Sequence, residues 1–210
     1  MKEPFFNRGG ALTCGALGGT ASWAEGALRR AGLDSTILAF DSCASMRGLV
    51  ASGYRQTDTM TVLRATAHRN GGRPAVGVGA SNDSKAWTVT YLRSFYGEET
   101  MTEVVGPIVS SLMDSRAVTL LEARTGGETA GVLAMFRTPG IIGVYCVGTV
   151  PELRGRGVAS ALLARAGETA SAEGRNLILQ TLTSDGVLQF YLGRGFEEVY
   201  TKRVLTKKLK

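Results

Sequence analysis

Residues 149–159 read TVPELRGRGVA, between an apolar strand-like run, Ile141–Val150, and a helical pattern from Gly157 to Glu173. No other stretch restricts the fold as tightly. Pro151 ends strand pairing, because it lacks an amide hydrogen and fixes its own φ. Gly155 and Gly157 have no β-carbon, so backbone there can approach a ligand and take conformations that other residues resist. Val158, Leu162, Leu163, Ala166 and Ala170 then share one face of a helix. The first amides of a helix have no internal partner and carry the positive end of its dipole. That arrangement suits an anion such as a pyrophosphate. The same letters also fit a plain turn between strand and helix. Two other phosphate loops are excluded: no G-x-x-x-x-G-K-[ST] string occurs, and G-x-G-x-x-G from Gly155 meets Ser160 at its last position.

The rest of the chain narrows the chemistry. With 210 residues, 44% of them hydrophobic and 20% charged, it has room for one domain plus a smaller appendage and is too apolar to stay disordered. No apolar run reaches the ~18 residues of a membrane span, and the start, MKEPFFNRGG, lacks a signal-peptide core, so a cytoplasmic protein without membrane contact is expected. Cys14, Cys43 and Cys146 are too scattered for a disulfide framework or a zinc site. The only histidine, His68, leaves no two-histidine metal site, and no metal is expected. The net charge is +6, and Lys202, Arg203, Lys207, Lys208 and Lys210 crowd the last nine residues. No aromatic ring interleaves them, so the tail reads as a lysine-guarded edge strand rather than a nucleic-acid surface.

His68–Ser84 is rich in glycine, proline, serine and asparagine and reads as a connector, with a short strand near Ala75–Val78. Before it the pattern predicts strands at Ala11–Ala16, Thr36–Phe40 and Gln56–Arg64, and helices at Ser22–Ala31 (stopped by Gly32) and Ser42–Ser52. After it come helices at Trp87–Phe95 and Met101–Met113 and strands at Ala117–Ala123, Thr129–Arg137 and Ile141–Val150. A strand at Asn176–Leu182, a helix at Asp185–Leu192 and two strands parted near Tyr200 complete the pattern. The two ends read as an internal repeat: residues 35–64 align with 176–206, matching Gly53-Tyr54 to Gly195-Phe196 and Val62-Leu63 to Val204-Leu205, although any strand–helix–strand unit ending in glycine-aromatic would look similar.

Arg154-Gly155-Arg156-Gly157-Val158-Ala159, led by Val150-Pro151, resembles the R/Q-x-x-G-x-G/A signature of the GNAT superfamily of N-acyltransferases. Phe190-Tyr191-Leu192-Gly193-Arg194-Gly195-Phe196 is similar to that family's F-Y-x-x-x-G-F string, in the right order downstream. The resemblance covers residues 85–210. It implies an α/β fold with a mixed central sheet flanked by helices, in which two parallel strands, Ile141–Val150 and Asn176–Leu182, splay apart. It divides the chain into a degenerate GNAT-like half-module at 1–68, a linker at 69–84 and an N-acetyltransferase domain at 85–210.

The resemblance also implies acetyl-CoA as co-substrate and an amine acceptor. The pantetheine arm would pair with backbone of Gly148, Thr149 and Val150, lying close because Gly148 has no β-carbon. The pyrophosphate would sit on the amides of Arg154, Gly155, Arg156, Gly157, Val158 and Ala159, and Ser184 would contact the cofactor. Tyr191 would be the general acid that protonates the departing thiolate, while a core-packing role is its alternative. Glu122 and Tyr145 are both within reach of a base role, although a strand glutamate usually sits on a solvated face. Cys146 reads as a small buried hydrophobe. The first module has Leu49-Val50 where the repeat calls for the motif tyrosine. An acetyl-CoA-dependent N-acetyltransferase acting on a small primary amine is the reading these residues favour, with room for a homodimer and no nucleic-acid partner. A non-catalytic CoA-binding protein of the same fold is the alternative.

Overall fold

A computed structural model describes residues 8–10, 25–30, 32–40, 46–65 and 76–209. The strand expected at Ala11–Ala16, the expected helix start at Ser22, and Cys14, Cys43 and His68 lie outside the described residues. The chain forms two compact units: one holds residues up to Val62 with Thr181–Gln189 and from Glu198 onward, the other Leu63–Gln180 with Phe190–Glu197.

The first unit is built on strands β1 (Arg8–Gly10), β2 (Ser35–Ala39) and β3 (Arg55–Ala65), with helices α1 (25–30) and α2 (Met46–Ala51). Gly32, at φ 67°, ends α1 as expected, and Leu33 N–H closes back onto the Leu28 carbonyl. The last strand, β9 (Glu197–Lys207), pairs antiparallel with β2, Ser35 opposite Lys207 and Ala39 opposite Arg203. Strand order in this unit is β1-β2-β9-β3. Two expectations fail here. β9 has a neighbour on each side and is no edge strand; Lys207 donates to Glu25 at 2.8 Å and Lys208 pairs with Asp34. It also runs unbroken through Tyr200, because nothing from Glu197 to Lys207 is glycine or proline and two neighbours hold the ladder. Ile37, Ala39, Leu49, Tyr54 and Leu205 form the core of this unit. Burial pushes the Tyr54 phenol up to about 12, and its hydroxyl sits 2.7 Å from Ser35 Oγ.

The second unit holds β4 (Gly77–Ala80), β5 (Val118–Thr125), β6 (Glu128–Thr138), β7 (Ile141–Thr149) and β8 (Asn176–Leu182), in the order β8-β7-β6-β5-β4. β4 to β7 are antiparallel and β8 is parallel to β7. Helices α3 (Ser84–Tyr96) and α4 (Thr102–Met113) cover one face: Trp87, Leu92, Val105 and Val109 cluster with Leu120, Val132 and Ala134. α3 starts at Asp83, whose carboxylate accepts from Ala86 N–H, and stops at Gly97 (φ 72°). α5 (Val158–Ala172) lies on the opposite face, where a β-carbon on Gly131 would meet Val158 Cγ1 at 2.6 Å.

The helix expected over Asp185–Leu192 is broken in two. Thr183–Asp185 is a single 3-10 turn, Gly186 takes φ 67°, and α6 covers only Leu188–Leu192. The Asp185 carboxylate causes the break, accepting from Leu182 N–H at 2.8 Å and Thr181 Oγ at 3.1 Å.

The repeat survives in local geometry. Gly53 (φ 92°) donates to the Val50 carbonyl and Tyr54 to Leu49; Gly195 (φ 83°) donates to Leu192 and Phe196 to Tyr191. Each helix thus ends in the same pair of bonds, with Leu49 standing where Tyr191 stands.

Candidate functional site

β7 is the strand on which the site is built. Its ladder with β8 pairs Ile141 to Val144 with Asn176 to Leu179, while β7 itself runs on to Thr149. Just past Val144 the register with β6 slips: Ala134 faces Tyr145 but Val132 faces Gly148, so Cys146 and Val147 together oppose Leu133. Cys146 takes φ 54°, the left-handed conformation that only this non-glycine residue adopts among the described ones. The β7–β8 ladder thus ends just before this bulge, where the family resemblance implied a splay. Burial pushes the Cys146 thiol up to about 11, so it stays protonated and is no nucleophile at neutral pH.

Beyond Thr149 the chain makes a 3-10 turn, Pro151–Leu153, and enters the glycine loop. Gly155 (φ 75°) and Gly157 (φ 83°) both occupy left-handed backbone, and nothing lies within 4 Å of where a Gly155 β-carbon would be. Gly157 caps α5 without a side-chain hydrogen bond, and the helical ladder begins only with Ala161 N–H to the Gly157 carbonyl. The amides of Val158, Ala159 and Ser160 precede that ladder and point out of the helix start. Arg156 is exposed. Arg154 is exposed as well, but its guanidinium donates to the Ser94 carbonyl at 2.8 Å and the Thr149 carbonyl at 3.3 Å. With the Arg93–Glu152 ion pair at 3.3 Å, it ties the last turn of α3 to the loop.

Gly148 also has a packing role. A β-carbon there would come within 2.8 Å of both Ser94 Cβ and Phe95 Cε2, so its bare Cα makes room for α3 on that face. Ser94 Oγ, beside it, is buried without a hydrogen-bond partner. Val150 N–H is already given to the Ala130 carbonyl.

Tyr191 lies in α6, 8% exposed, edge-on to Phe190 and Phe196 with ring centres 5.2 and 5.9 Å away. The residue that sequence reading passed over is Arg194. It sends Nε and Nη2 to Ser160 Oγ (3.0 and 2.6 Å) and Nη1 to the Phe190 carbonyl (2.8 Å). Its guanidinium stacks 3.5 Å from the Phe190 ring centre. Desolvation lowers its pKa, and the nearby Tyr191 phenol works the other way. Arg194 thereby fixes α6, and with it Tyr191, against the first turn of α5. Its presence at an open position of the F-Y-x-x-x-G-F string gave no signal in advance.

Ser184 is held by a contact within its own unit. It belongs to the first unit, where its Oγ and N–H both donate to Asp58. Burial works against the Asp58 carboxylate, but hydrogen bonds from Ser184, Thr183 and Thr59 hold it below its ordinary range. Glu122 is buried rather than solvated, accepting from Ser81 Oγ at 2.8 Å and Arg124 Nε at 2.6 Å. Tyr145 is half-exposed on β7, its ring folded over Gly143.

Three comparisons place this arrangement. The family model of the acetyltransferase (GNAT) domain matches residues 116–198. Among solved structures, a GCN5-related N-acetyltransferase from Kribbella flavida is 16% identical, covering 99% of this chain and 83% of that one with a TM-score of 0.72. One from Sphaerobacter thermophilus is 20% identical over 93% of this chain and 69% of that one, TM-score 0.71. A tandem GNAT protein from the clavulanic acid biosynthesis pathway is 14% identical over 91% and 69%, TM-score 0.63. No curated protein matches the sequence. The glycine loop and these likenesses agree: the chain has the GNAT fold, and residues 116–198 match the model of the acetyltransferase (GNAT) domain.

Proposed function

We propose that the protein is an acetyl-CoA-dependent N-acetyltransferase that moves an acetyl group directly to a small primary amine, with residues 85–210 carrying the activity. The observation that supports this most is the continuous run from a parted strand into a left-handed glycine loop and an uncapped helix start. Acyl-CoA fits these features. Its pyrophosphate calls for backbone amides without partners, which Val158 to Ser160 supply in open space beside Gly155. Its pantetheine amides call for an unpaired strand edge, which β7 offers beyond Val144. The unpartnered Ser94 hydroxyl beside Gly148 is a further polar group left for a ligand near the same strand.

The chain's own residues then divide the work. The α5 amides and the β7 edge hold the thioester in one orientation, so that reaction with a neighbouring amine becomes effectively unimolecular. Tyr191, protonated at neutral pH, gives its proton to the sulfur as the carbon–sulfur bond breaks. Arg194 positions it. No side chain is acylated, so the protonated Cys146 is consistent with the scheme.

Gly157→Glu tests the reading. The substitution forces a side chain onto φ 83° and puts a carboxylate where the pyrophosphate would lie. Calorimetric titration with acetyl-CoA should show binding in the native chain and none in the variant; equal affinities would rule out the phosphate assignment.

A further inference from the structure

We propose that the acceptor is an aromatic primary amine, uncharged at neutral pH, that lies against a half-open aromatic face beside Gly148. The proposal rests on the acetyltransferase reading and names its substrate class. Opposed residues of an antiparallel pair share a face of the sheet. Val132 opposes Gly148, Ala134 opposes Tyr145 and Phe136 opposes Gly143. Val132 and Ala134 belong to the cluster under α3 and α4, so Tyr145 and Phe136 look to that same side. The two helices cover the first pair but leave Tyr145 47% and Phe136 43% exposed. Phe95, in the last turn of α3, is 49% exposed with its ring edge against Gly148. Aromatic side chains therefore stand on both sides of the β7 bulge. Phe95 is backed by the Tyr91 ring at 5.1 Å, which stacks on the buried Trp87 at 5.7 Å.

Rings alone would also receive an alkylammonium. The proton decides between the two. An alkylamine reaches the site charged and must lose a proton before its nitrogen can attack. Among the described residues, α3 and β7 carry no carboxylate, β6 has only Glu128, its first residue, and Glu98 and Glu99 after α3 and Glu103 in the first turn of α4 are all exposed to solvent. Glu122 is on this face, but it opposes Val132, which separates it from Gly148, and both its oxygens are taken by Ser81 and Arg124. An aromatic amine needs no such base, because its lone pair is free well below neutrality. In the step, the nitrogen lone pair forms the C–N bond at the thioester carbonyl and the C–S bond breaks. The thiolate takes the Tyr191 proton, the new amide nitrogen gives its proton to water, and Tyr191 is reprotonated from solvent.

The full-length protein is assayed by thiol release from acetyl-CoA, with 4-methylaniline and 4-methylbenzylamine as matched acceptors. The aniline should be preferred in kcat/KM at neutral pH by about 10²-fold, the lower end of what a positioned base would have supplied to its rival. Its rate should be level from about pH 6 to about pH 9, whereas the benzylamine rate climbs about tenfold per pH unit. Phe95→Leu, and independently Tyr145→Leu, should raise the aniline KM several-fold while leaving acetyl-CoA affinity unchanged. A benzylamine rate equal to the aniline rate at neutral pH overturns the proposal. So does an enzyme that binds acetyl-CoA but acetylates neither acceptor. Failure to bind acetyl-CoA at all would instead overturn the acetyltransferase reading.

Discussion

Gly148→Ala separates two reasons for a glycine at the end of β7. The backbone there lies outside the left-handed region, so alanine meets no conformational penalty and the whole effect is one of space. The new methyl would stand 2.8 Å from Ser94 Cβ and from Phe95 Cε2, 0.6 Å inside the 3.4 Å at which ordinary contact begins. Ser94 Cβ is attached to helix backbone and cannot swing aside. That turn of α3 is also pinned by Arg154 on the Ser94 carbonyl and by the Arg93–Glu152 pair. The methyl must therefore displace α3 or remain compressed. Overpacking of this kind costs about 1–3 kcal/mol, and the pinned neighbours favour the upper half. For a chain of this length each kcal/mol lowers Tm by about 2–4 °C, so about 2–3 kcal/mol gives a fall of about 4–12 °C. Thermal unfolding followed by circular dichroism, paired with acetyl-CoA titration, reads both consequences. An unchanged Tm with lost acetyl-CoA affinity would refute the packing argument and return Gly148 to a ligand-approach role.

Tyr191→Phe keeps the ring contacts with Phe190 and Phe196 and removes only the proton donor, so acetyl-CoA binding should persist while kcat falls by about 10²–10⁴-fold; an unchanged kcat at saturating acceptor would leave Tyr191 a packing residue. Cys146, with its thiol raised to about 11 by burial, should resist alkylation at neutral pH in the folded chain and react faster only as pH climbs towards that value. Iodoacetamide labelling resolved by peptide mass reads this, and rapid labelling of Cys146 at neutral pH would contradict it. A fragment of residues 85–210 lacks β2 and β3, the two neighbours of β9, and uncovers the buried Val204 and Leu205, so it should aggregate on purification. A monomeric fragment as heat-stable as the whole chain would show that β9 needs neither.

Sequence carried the elements well where periodicity and punctuation agreed. Asn176–Leu182 was legible to the residue as β8, and Val158 to Ala170 marked the buried face of α5. It failed where the outcome depends on partners distant in the chain. The β7 bulge exists because Leu133 is opposed by two residues, and Cys146 in a left-handed conformation follows no local propensity. Helix 185–192 failed for a local reason, the Asp185 carboxylate competing for Leu182 N–H before a helix could form. Among site residues, the glycine loop could be read from its letters because its requirement is conformational. The engagement of Ser184 by Asp58 and of Ser160 by Arg194 could not, since each pairs side chains far apart in sequence.

The shared ending of the two repeat copies has an evolutionary consequence. Leu49 and Tyr191 occupy equivalent corners, each lending its carbonyl to the aromatic residue that follows the glycine. Those bonds involve backbone alone, so the corner is preserved whatever side chain occupies it. A duplicated strand–helix–strand unit could thus lose its phenol in one copy without losing its shape, freeing that copy to drift as scaffold while the other stayed under selection for chemistry.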